Sequence, residues 1–233
     1  MKMPAPQKLL ALLAAVGLFA GCQTSRPLVA TAQNAASQAA TTPAEALARL
    51  KAGNERFAAN HLLTRDLAAQ RVATAGGQYP FAVVLSCLDS RTSAELIFDQ
   101  GIGDVFNARV AGNILNDDIL GSMEFACKAA GAKLIAVVGH SKCGAVKGAC
   151  GSVELGHLTG LLQRIQPAVA AVPPGADPTS TTRVDAVARE NVKLAMRQIR
   201  ERSPILAELI RGGKVGLVGG LHDLESGRVA FFE

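Results

Sequence analysis

Four short, mostly apolar runs, separated by stretches of helical character, constrain the fold of this chain more than any other feature. The runs comprise residues 81–86, 104–110, 133–139 and 215–219, with sequences such as FAVVLS and KLIAVVG. Runs of this length that are apolar on both faces are typical of strands buried in a parallel sheet. The longest helical stretches cover residues 117–130, 157–172 and 183–210. This alternation predicts an α/β fold, with a central, mostly parallel sheet flanked by helices.

The two ends of the predicted domain carry their own signals. The sequence TPAE at residues 42–45 offers an N-cap, a proline in the first turn and a capping-box glutamate, so an N-terminal helical arm is predicted to begin here. Gly53 lowers the helix propensity of this arm. At the other end, a turn at residues 224–227 precedes residues 228–232, which we predict as an antiparallel edge strand. We therefore assign residues 42–233 to one domain.

Composition narrows the classes of function. Apolar residues make up 49% of the chain and aromatic residues only 4%, which predicts an ordered domain with an aliphatic core. Five cysteines in 233 residues are too few for a dense disulfide scaffold. The net charge of +5 comes from lysines and arginines scattered along the chain, so we expect no nucleic-acid partner.

Residues 1–22 have the pattern of an export signal. Lys2 and Lys8 precede an apolar run that is shorter than the ~20 residues of a membrane span. The small residues before Cys22 resemble the bacterial lipoprotein signal, in which cleavage precedes the cysteine and its sulfur carries lipid. A plain signal peptide and a buried N-terminal helix are the alternatives. Residues 23–41, rich in Ala, Gln, Ser and Thr, predict a flexible tether, so we expect a periplasmic protein anchored by lipid to a bacterial membrane.

Residue types that bind metals follow two of the predicted strands. The first run is followed by CLDSR (residues 87–91), and the third by HSKCG (residues 140–144). Because the carboxyl ends of parallel strands share one edge of a sheet, we expect these segments to meet. Two thiolates and one imidazole form a soft, roughly tetrahedral site with one open position, which suits zinc. Taken singly, Cys87 also fits a small buried hydrophobe and His140 a hydrogen-bonded loop histidine.

A carboxylate and a guanidinium stand beside this predicted metal site. Asp89 paired with Arg91 would keep a depressed pKa and remain ionised, so that it could accept a hydrogen bond from a zinc-bound hydroxide. A structural ion pair in a turn is the alternative. The residues alone leave the fourth zinc position open between water and Asp89.

In combination these motifs resemble the β-class carbonic anhydrases. The resemblance extends over nearly all of residues 42–233 and includes ALARLKAGNERF, IFDQGIGDVFNARVAGN and LGSMEFACKAAGAKLIAVVGHSKCGAV beside the two metal-binding motifs. It implies one Zn²⁺ per subunit, ligated by Cys87, His140 and Cys143. It also implies Asp89 and Arg91 as the catalytic dyad.

The resemblance implies substrate-binding residues and an assembly as well. Gln78 matches the family glutamine that hydrogen-bonds substrate across the dimer interface. Phe106 and Ala111 fall where the family lines an apolar CO2 pocket, and Phe125 falls where plant-type members carry tyrosine, so a hydroxyl is absent there. Gly144 matches a backbone N–H near the substrate. The family unit is a homodimer with active sites at the interface, often paired into homotetramers.

The predicted activity is zinc-dependent, reversible hydration of carbon dioxide to bicarbonate and a proton, by attack of zinc-bound hydroxide. The family also has an inactive closed form, favoured by acid pH, in which the aspartate corresponding to Asp89 binds zinc. We expect the open form at neutral pH. The alternatives are a related zinc hydrolase acting on CS2 or COS, and a catalytically silent zinc- or bicarbonate-binding protein, which the presence of both Asp89 and Arg91 disfavours.

Three further residues lie outside this predicted site. His222 is close to the end of the fourth apolar run, where a role as proton shuttle is a minor interpretation. Cys127 is predicted to be a small buried hydrophobe in a helix. In an oxidising compartment, a disulfide between Cys127 and Cys150 is an alternative to two free thiols.

Overall fold

The computed structural model of the protein describes Met1, residues 28–29 and residues 31–233. The predicted export signal, apart from Met1, lies outside the described residues, and so does Cys22. Among the described residues, no helix is both long and apolar enough for a membrane span.

Strands and helices alternate along the described chain. The strands are β1 (Leu28–Val29), β2 (Thr64–Arg65), β3 (Ala82–Ser86), β4 (Val105–Arg109), β5 (Leu134–His140), β6 (Gly216–His222) and β7 (Val229–Phe232). The helices are α1 (Ala35–Ala40), α2 (Pro43–Ala58), α3 (Leu67–Thr74), α4 (Ala94–Ile97), α5 (Asp117–Glu124), α6 (Gly144–Cys150), α7 (Gly156–Gln163), α8 (Gln166–Ala170), α9 (Thr181–Arg202) and α10 (Pro204–Arg211). A 3-10 turn at Ala111–Asn113 follows β4, and a π-helical turn at Phe125–Ala129 extends α5.

The central sheet has the predicted mostly parallel topology. In the described part of the chain its order is β4-β3-β5-β6-β7, with β7 as an antiparallel edge strand. Ser86 of β3 pairs with Val138 of β5, so the next residue, Cys87, is level with Gly139 and one position short of His140. The register therefore brings both predicted metal-binding motifs to the same edge of the sheet.

Helices cover both faces of the sheet and form a largely aliphatic core, as the composition predicts. One face carries α2 and α4, where Leu50 and Ile97 pack against β3. The opposite face carries α5, α9 and α10, where Leu120 and Ile199 are buried. A third cluster, beside the ends of β3 and β5, contains Cys87 together with side chains of α6, α8 and α9. The predicted site therefore rests on packed helices rather than on a surface loop.

Two of the predicted helices are each divided in the structure. The stretch 157–172 forms α7 and α8, which meet at Arg164–Ile165, and the stretch 183–210 forms α9 and α10. The second break has a clear cause, since Pro204 has no N–H for the helix to use. Ser203 caps the new helix by accepting a hydrogen bond from the N–H of Leu206 at 3.1 Å.

The prediction of a flexible tether over residues 23–41 is wrong for the described residues of that segment. Leu28–Val29 pairs with β2, and Ala35–Ala40 forms a capped helix. The side-chain amide of Gln38 donates hydrogen bonds to the carbonyls of Pro80 at 2.8 Å and Ala130 at 2.7 Å. Because Gln38 is buried and satisfies two distant carbonyls, this segment is packed on the domain.

Helix α2 begins as predicted and passes close to the backbone of another element. Thr42 accepts a hydrogen bond from the N–H of Glu45, and Glu45 accepts one in return from the N–H of Thr42. At Gly53, a β-carbon would lie 1.7 Å from the carbonyl oxygen of Phe98. The glycine that lowers helix propensity is therefore required by the contact between α2 and α4.

We predict that Gly53→Ala lowers the free energy of unfolding by about 3 kcal/mol, although alanine is the better helix former by about 1 kcal/mol. The loss arises because a backbone carbonyl cannot move aside as a flexible side chain can. Urea denaturation measures it. Gly160→Ala in α7, where an added β-carbon meets nothing within 4 Å, is the matched control and should be neutral or stabilising. A Gly53→Ala protein as stable as the parent would contradict this account.

Candidate metal centre

Three buried side chains converge where β3 and β5 end. Cys87 directly follows β3, His140 is the last residue of β5, and Cys143 is the N-cap of α6. One ligand atom from each residue lies within 4.8 Å of the others. The exposed fractions are 5%, 1% and 1%, so the three donors face one another and are shielded from solvent. The structure thus brings together the three predicted metal ligands.

The imidazole of His140 is oriented for metal binding. Its Nδ1 lies 2.9 Å from the carbonyl oxygen of Ser141. Because a carbonyl only accepts, Nδ1 carries the proton and Nε2 keeps a free lone pair. Nε2 is buried and has no hydrogen-bond partner. An unpaired ring nitrogen is costly unless a ligand satisfies it, so the arrangement fits a metal ion held with two sulfurs.

The two thiols of the cluster titrate differently. A hydrogen bond from the Cys143 thiol lowers the pKa of Cys87, and the N–H of Gly112, at 3.3 Å from Cys87 Sγ, acts in the same direction. The same hydrogen bond to Cys87, together with burial and the charge on Cys87, raises the pKa of Cys143. Cys87 is therefore the thiol of the pair that ionises more readily. Such a pair is suited to a divalent cation that binds thiolates.

Asp89 is paired with Arg91 beside the cluster. The Arg91 side chain donates two hydrogen bonds to the carboxylate, at 2.9 and 2.8 Å, and its backbone N–H donates a third at 3.0 Å. The Arg91 guanidinium holds the pKa of the Asp89 carboxyl well below its usual range. Asp89 Oδ2 lies 3.9 Å from His140 Nε2. The carboxylate is thus ionised, adjacent to the cluster and engaged by arginine, which is the pairing expected for the open form.

The backbone of this motif is held by a residue whose role its position in the sequence does not reveal. Arg109, the last residue of β4, donates hydrogen bonds to the carbonyls of Cys87 at 3.0 Å and Asp89 at 2.5 Å. It therefore fixes the turn that carries both a metal ligand and the carboxylate. Arg109 lies within IFDQGIGDVFNARVAGN, a segment that resembles the family. The carbonyls to which it donates could not be inferred from sequence spacing.

The predicted substrate-binding residues are not all near the cluster of their own chain. Phe106 pairs with Val83, which places it about 13 Å back along β3 from Cys87. Its ring contacts Phe125 at a centroid distance of 6.1 Å. Gln78 precedes β3, at the end of the sheet away from the cluster, and is exposed.

The two remaining predicted positions are close to the metal ligands. Ala111 begins the 3-10 turn whose next residue, Gly112, hydrogen-bonds to Cys87. Gly144 directly follows Cys143 and is the first residue of α6, where it is exposed. One chain therefore supplies only Ala111 and Gly144, of the five predicted substrate-binding residues, to its own cluster.

His222 lies behind the cluster rather than at the surface. It pairs with His140 across β5 and β6 and is 2% exposed, and neither ring nitrogen has a hydrogen-bond partner. Burial lowers the pKa of His222 to about 4. The ring is therefore enclosed by the fold and neutral at physiological pH.

We predict that His222 makes the protein sensitive to acid. Its folded pKa lies below the unfolded value, so its contribution to stability is complete above about pH 6.5 and is lost as the pH falls toward about 4. Between about pH 7.5 and 4.5, wild-type protein should lose about 2 kcal/mol more of its free energy of unfolding than His222→Gln. Denaturant unfolding at both pH values measures the difference. Equal losses in the two proteins would show that His222 is not protonated on unfolding.

Cys127 and Cys150 are both free thiols in this structure. Cys127 packs in the cluster beneath α5, whereas Cys150 ends α6 and packs in the cluster beside the metal ligands. Burial raises the pKa of Cys127 to about 12, as expected for a small hydrophobe in the core. The structure therefore gives no support to a disulfide between them.

The fold and the site together define an α/β protein with a buried Cys2His cluster suited to a metal ion, beside an ionised Asp–Arg pair. The sequence model of the carbonic anhydrase family matches residues 82–229. The chain belongs to the β-class carbonic anhydrases.

Similar proteins span most of the chain. Carbonic anhydrase 2 of Mycobacterium tuberculosis is 37% identical over 194 residues, covering 81% of this chain and 92% of the relative. The carbonic anhydrase of Mycolicibacterium smegmatis is 35% identical over 195 residues, covering 81% and 93%. Among solved structures, a β-carbonic anhydrase of Aspergillus fumigatus aligns with a TM-score of 0.65 at 25% identity, covering 82% and 90%. A tetrameric β-carbonic anhydrase of Sordaria macrospora aligns with a TM-score of 0.62 at 26% identity, covering 68% of this chain and 83% of that structure.

Proposed function

We propose that the protein catalyses the zinc-dependent, reversible hydration of carbon dioxide to bicarbonate. The observation that carries this proposal is the buried Cys87–His140–Cys143 cluster, with an ionised carboxylate fixed by arginine at its rim. Relatives that share most of the chain are named carbonic anhydrases, which supports the same activity.

The three donors would hold the zinc ion and leave one coordination position for a small molecule. Bound zinc lowers the pKa of coordinated water from about 15.7 to about 7, which makes a nucleophile available near neutral pH. The protein contributes a buried donor set that is already assembled, because β5 and α6 position His140 and Cys143 and the end of β3 positions Cys87.

Asp89 would orient the attacking oxygen. Its carboxylate remains ionised at neutral pH and can therefore only accept a hydrogen bond, which fixes where the hydrogen of the nucleophile points. Arg91 holds the carboxylate in place with two side-chain hydrogen bonds. The remaining lone pair would then face the carbon of CO2, as near-attack geometry requires.

A second copy of the chain would complete the substrate pocket. Phe106 and Phe125 line a cavity of about 730 Å³ beside β4, which is an edge strand in the described part of the sheet. Both rings, and Gln78, are remote from the cluster of their own chain. We therefore infer a homodimer, alone or paired into a tetramer, in which these residues serve the zinc site of the partner subunit. One of the similar solved structures is described as tetrameric.

Mixing two inactive variants tests whether Gln78 acts across the interface. Gln78→Ala lacks the glutamine and Cys143→Ser lacks a zinc ligand, so each homodimer should be deficient. Random reassociation of equal amounts should restore about a quarter of wild-type activity, because one chain in four combines intact zinc ligands with an intact partner glutamine. The control mixes Gln78→Ala with the Gln78→Ala, Cys143→Ser double variant. Recovery in that control, or none in the first mixture, would contradict the assignment.

Stopped-flow CO2 hydration by the zinc-loaded protein tests the proposed function directly. We expect catalysis in both directions, with one zinc per chain. Zinc-loaded protein that hydrolyses CS2 or COS but leaves CO2 hydration at the uncatalysed rate would instead establish the related hydrolase. Zinc binding without turnover of any of these substrates would establish a silent binding protein.

For location, we propose export to the periplasm and a lipid anchor at Cys22, as the sequence of residues 1–22 indicates. Cells grown with radioactive palmitate should yield labelled wild-type protein and unlabelled Cys22→Ala. Label on both proteins, or on neither, would contradict the anchor at this cysteine.

A further inference from the structure

We propose that helix α9 sets the geometry of the zinc site through two side chains, Asp185 and Asn191, which hold the two turns that carry the ligands. This inference rests on the zinc centre of the proposed function. Neither residue lies in the metal-binding motifs, and each contacts a backbone group rather than a ligand side chain. They are positioning residues, because each acts through the backbone of a ligand-bearing turn.

Asp185 holds the turn between His140 and Cys143. Its carboxylate accepts a hydrogen bond of 2.7 Å from the backbone N–H of Lys142. Lys142 has a φ of +56°, a left-handed conformation that a side chain with a β-carbon disfavours. The turn therefore needs an external contact to keep Lys142 in this conformation, and Asp185 supplies it. The conformation of Lys142 decides where Cys143 points relative to His140.

Asn191 holds the turn beside Cys87. Its side-chain amide donates a hydrogen bond of 2.7 Å to the carbonyl of Gly112, and the residue is 2% exposed. Gly112 has a φ of +66°, and its own N–H donates to Cys87 Sγ at 3.3 Å. By holding Gly112, Asn191 thus keeps the backbone N–H of Gly112 directed at the sulfur of Cys87. Hydrogen bonds of this kind orient metal ligands and tune their basicity.

Helix α9 is packed so that it can act as a common support for both turns. It extends over Thr181–Arg202, with buried side chains along its inner face that include Val187 and Val192. It also approaches the end of β5 closely, because a β-carbon at Gly139 would lie 2.9 Å from Val192 Cγ2. The helix therefore contacts Gly139, the residue before His140, and forms hydrogen bonds to the two turns that contain Lys142 and Gly112.

The Asp185 contact is tested by zinc affinity, measured by competition with a chromogenic chelator. Asp185→Ala should weaken zinc binding by about 10-fold or more, whereas Asp185→Asn, which keeps an accepting oxygen, should stay within about 3-fold of the parent. Adding Lys142→Gly to Asp185→Ala should restore most of the affinity, because glycine adopts a positive φ without the penalty. Glu201→Ala removes an exposed carboxylate elsewhere on α9 and should bind zinc normally.

The Asn191 contact needs a control for loss of stability. Asn191→Ala should weaken zinc binding by about 10-fold or more and alter the absorption bands of the cobalt-substituted protein, which report ligand geometry. Asn54→Ala is the matched control, because Asn54 is also buried and its amide donates to the carbonyls of Ile97 and Gly227 in a different part of the fold. Asn54→Ala should lose stability while keeping the parental cobalt spectrum and zinc affinity.

The outcomes separate this proposal from the proposed function. Asp185→Ala and Asn191→Ala proteins with parental zinc affinity and cobalt spectra would overturn the role of α9, whatever the wild-type protein catalyses. Failure of Lys142→Gly to restore affinity to Asp185→Ala would overturn the Asp185 part. A wild-type protein that binds zinc but does not hydrate CO2 would overturn the proposed function alone, and the affinity changes would still support the role of α9.

Discussion

Replacing Cys87 by serine is expected to remove stoichiometric zinc from the protein and to lower the rate of CO2 hydration by at least about 10³-fold. Cys87 is the thiol of the pair that ionises first, because the Cys143 thiol and the N–H of Gly112 both stabilise its negative charge. A serine hydroxyl stays protonated under the same conditions and is a poor ligand for zinc beside imidazole and thiolate. The remaining two donors, His140 and Cys143, cannot hold the ion at ordinary concentrations.

Metal analysis and stopped-flow kinetics of the same purified protein measure the two effects. Cys127→Ser is the matched control, since Cys127 is also a buried thiol, 6% exposed, but lies in the core beneath α5. It should lose stability yet retain one zinc and near-parental turnover. A Cys87→Ser protein with one zinc per chain and activity within about 10-fold of the parent would contradict the assignment of Cys87 as a ligand.

The cluster of Cys87, His140 and Cys143 could be predicted from sequence because a simple geometric rule connects its three residues. Cys87 and His140 each follow an apolar run, and adjacent parallel strands end at the same edge, so the rule needs only the strand assignments. Cys143 is three residues from His140, within the reach of one turn. Asp89 and Arg91 are likewise local, two residues apart, and the structure shows their hydrogen bonds.

The contacts that Asp185 and Asn191 make with the turns beside this cluster could not be predicted, because the partners are remote in sequence. Asp185 contacts Lys142 across 43 residues, and Asn191 contacts Gly112 across 79. An amphipathic pattern predicts that α9 is a helix, but it does not indicate which polar side chain on that helix reaches a backbone group of another element. Such contacts depend on packing.

The prediction of a flexible tether at the N-terminus was wrong for a related reason. Residues 31–41 have no apolar period, so their composition is typical of a linker. The segment is held instead by polar contacts, since Gln38 donates to carbonyls 42 and 92 residues away. A buried glutamine that satisfies backbone groups leaves no trace in a hydrophobic pattern.

Asp89→Asn is expected to lower kcat/KM for CO2 hydration by about 10²–10³-fold while zinc stays bound. The ligands of the metal are unchanged, but an amide donates as well as accepts and no longer fixes the orientation of the nucleophile. The pH profile should discriminate further. Because the Arg91 guanidinium holds the pKa of Asp89 well below its usual range, the carboxylate does not titrate near neutral pH, so the midpoint of the profile should remain while its height falls.

Asp177→Asn is the matched control for this substitution. Asp177 accepts a hydrogen bond from the backbone N–H two residues later, at 2.8 Å, as Asp89 does, but it lies in an exposed loop. Its variant should show parental kcat/KM and zinc content. Asp89→Asn protein with a full complement of zinc and an unchanged kcat/KM would show that the carboxylate does not orient the nucleophile. A shifted midpoint in that variant would instead show that the titration of Asp89 itself shapes the pH profile, contrary to its pairing with Arg91.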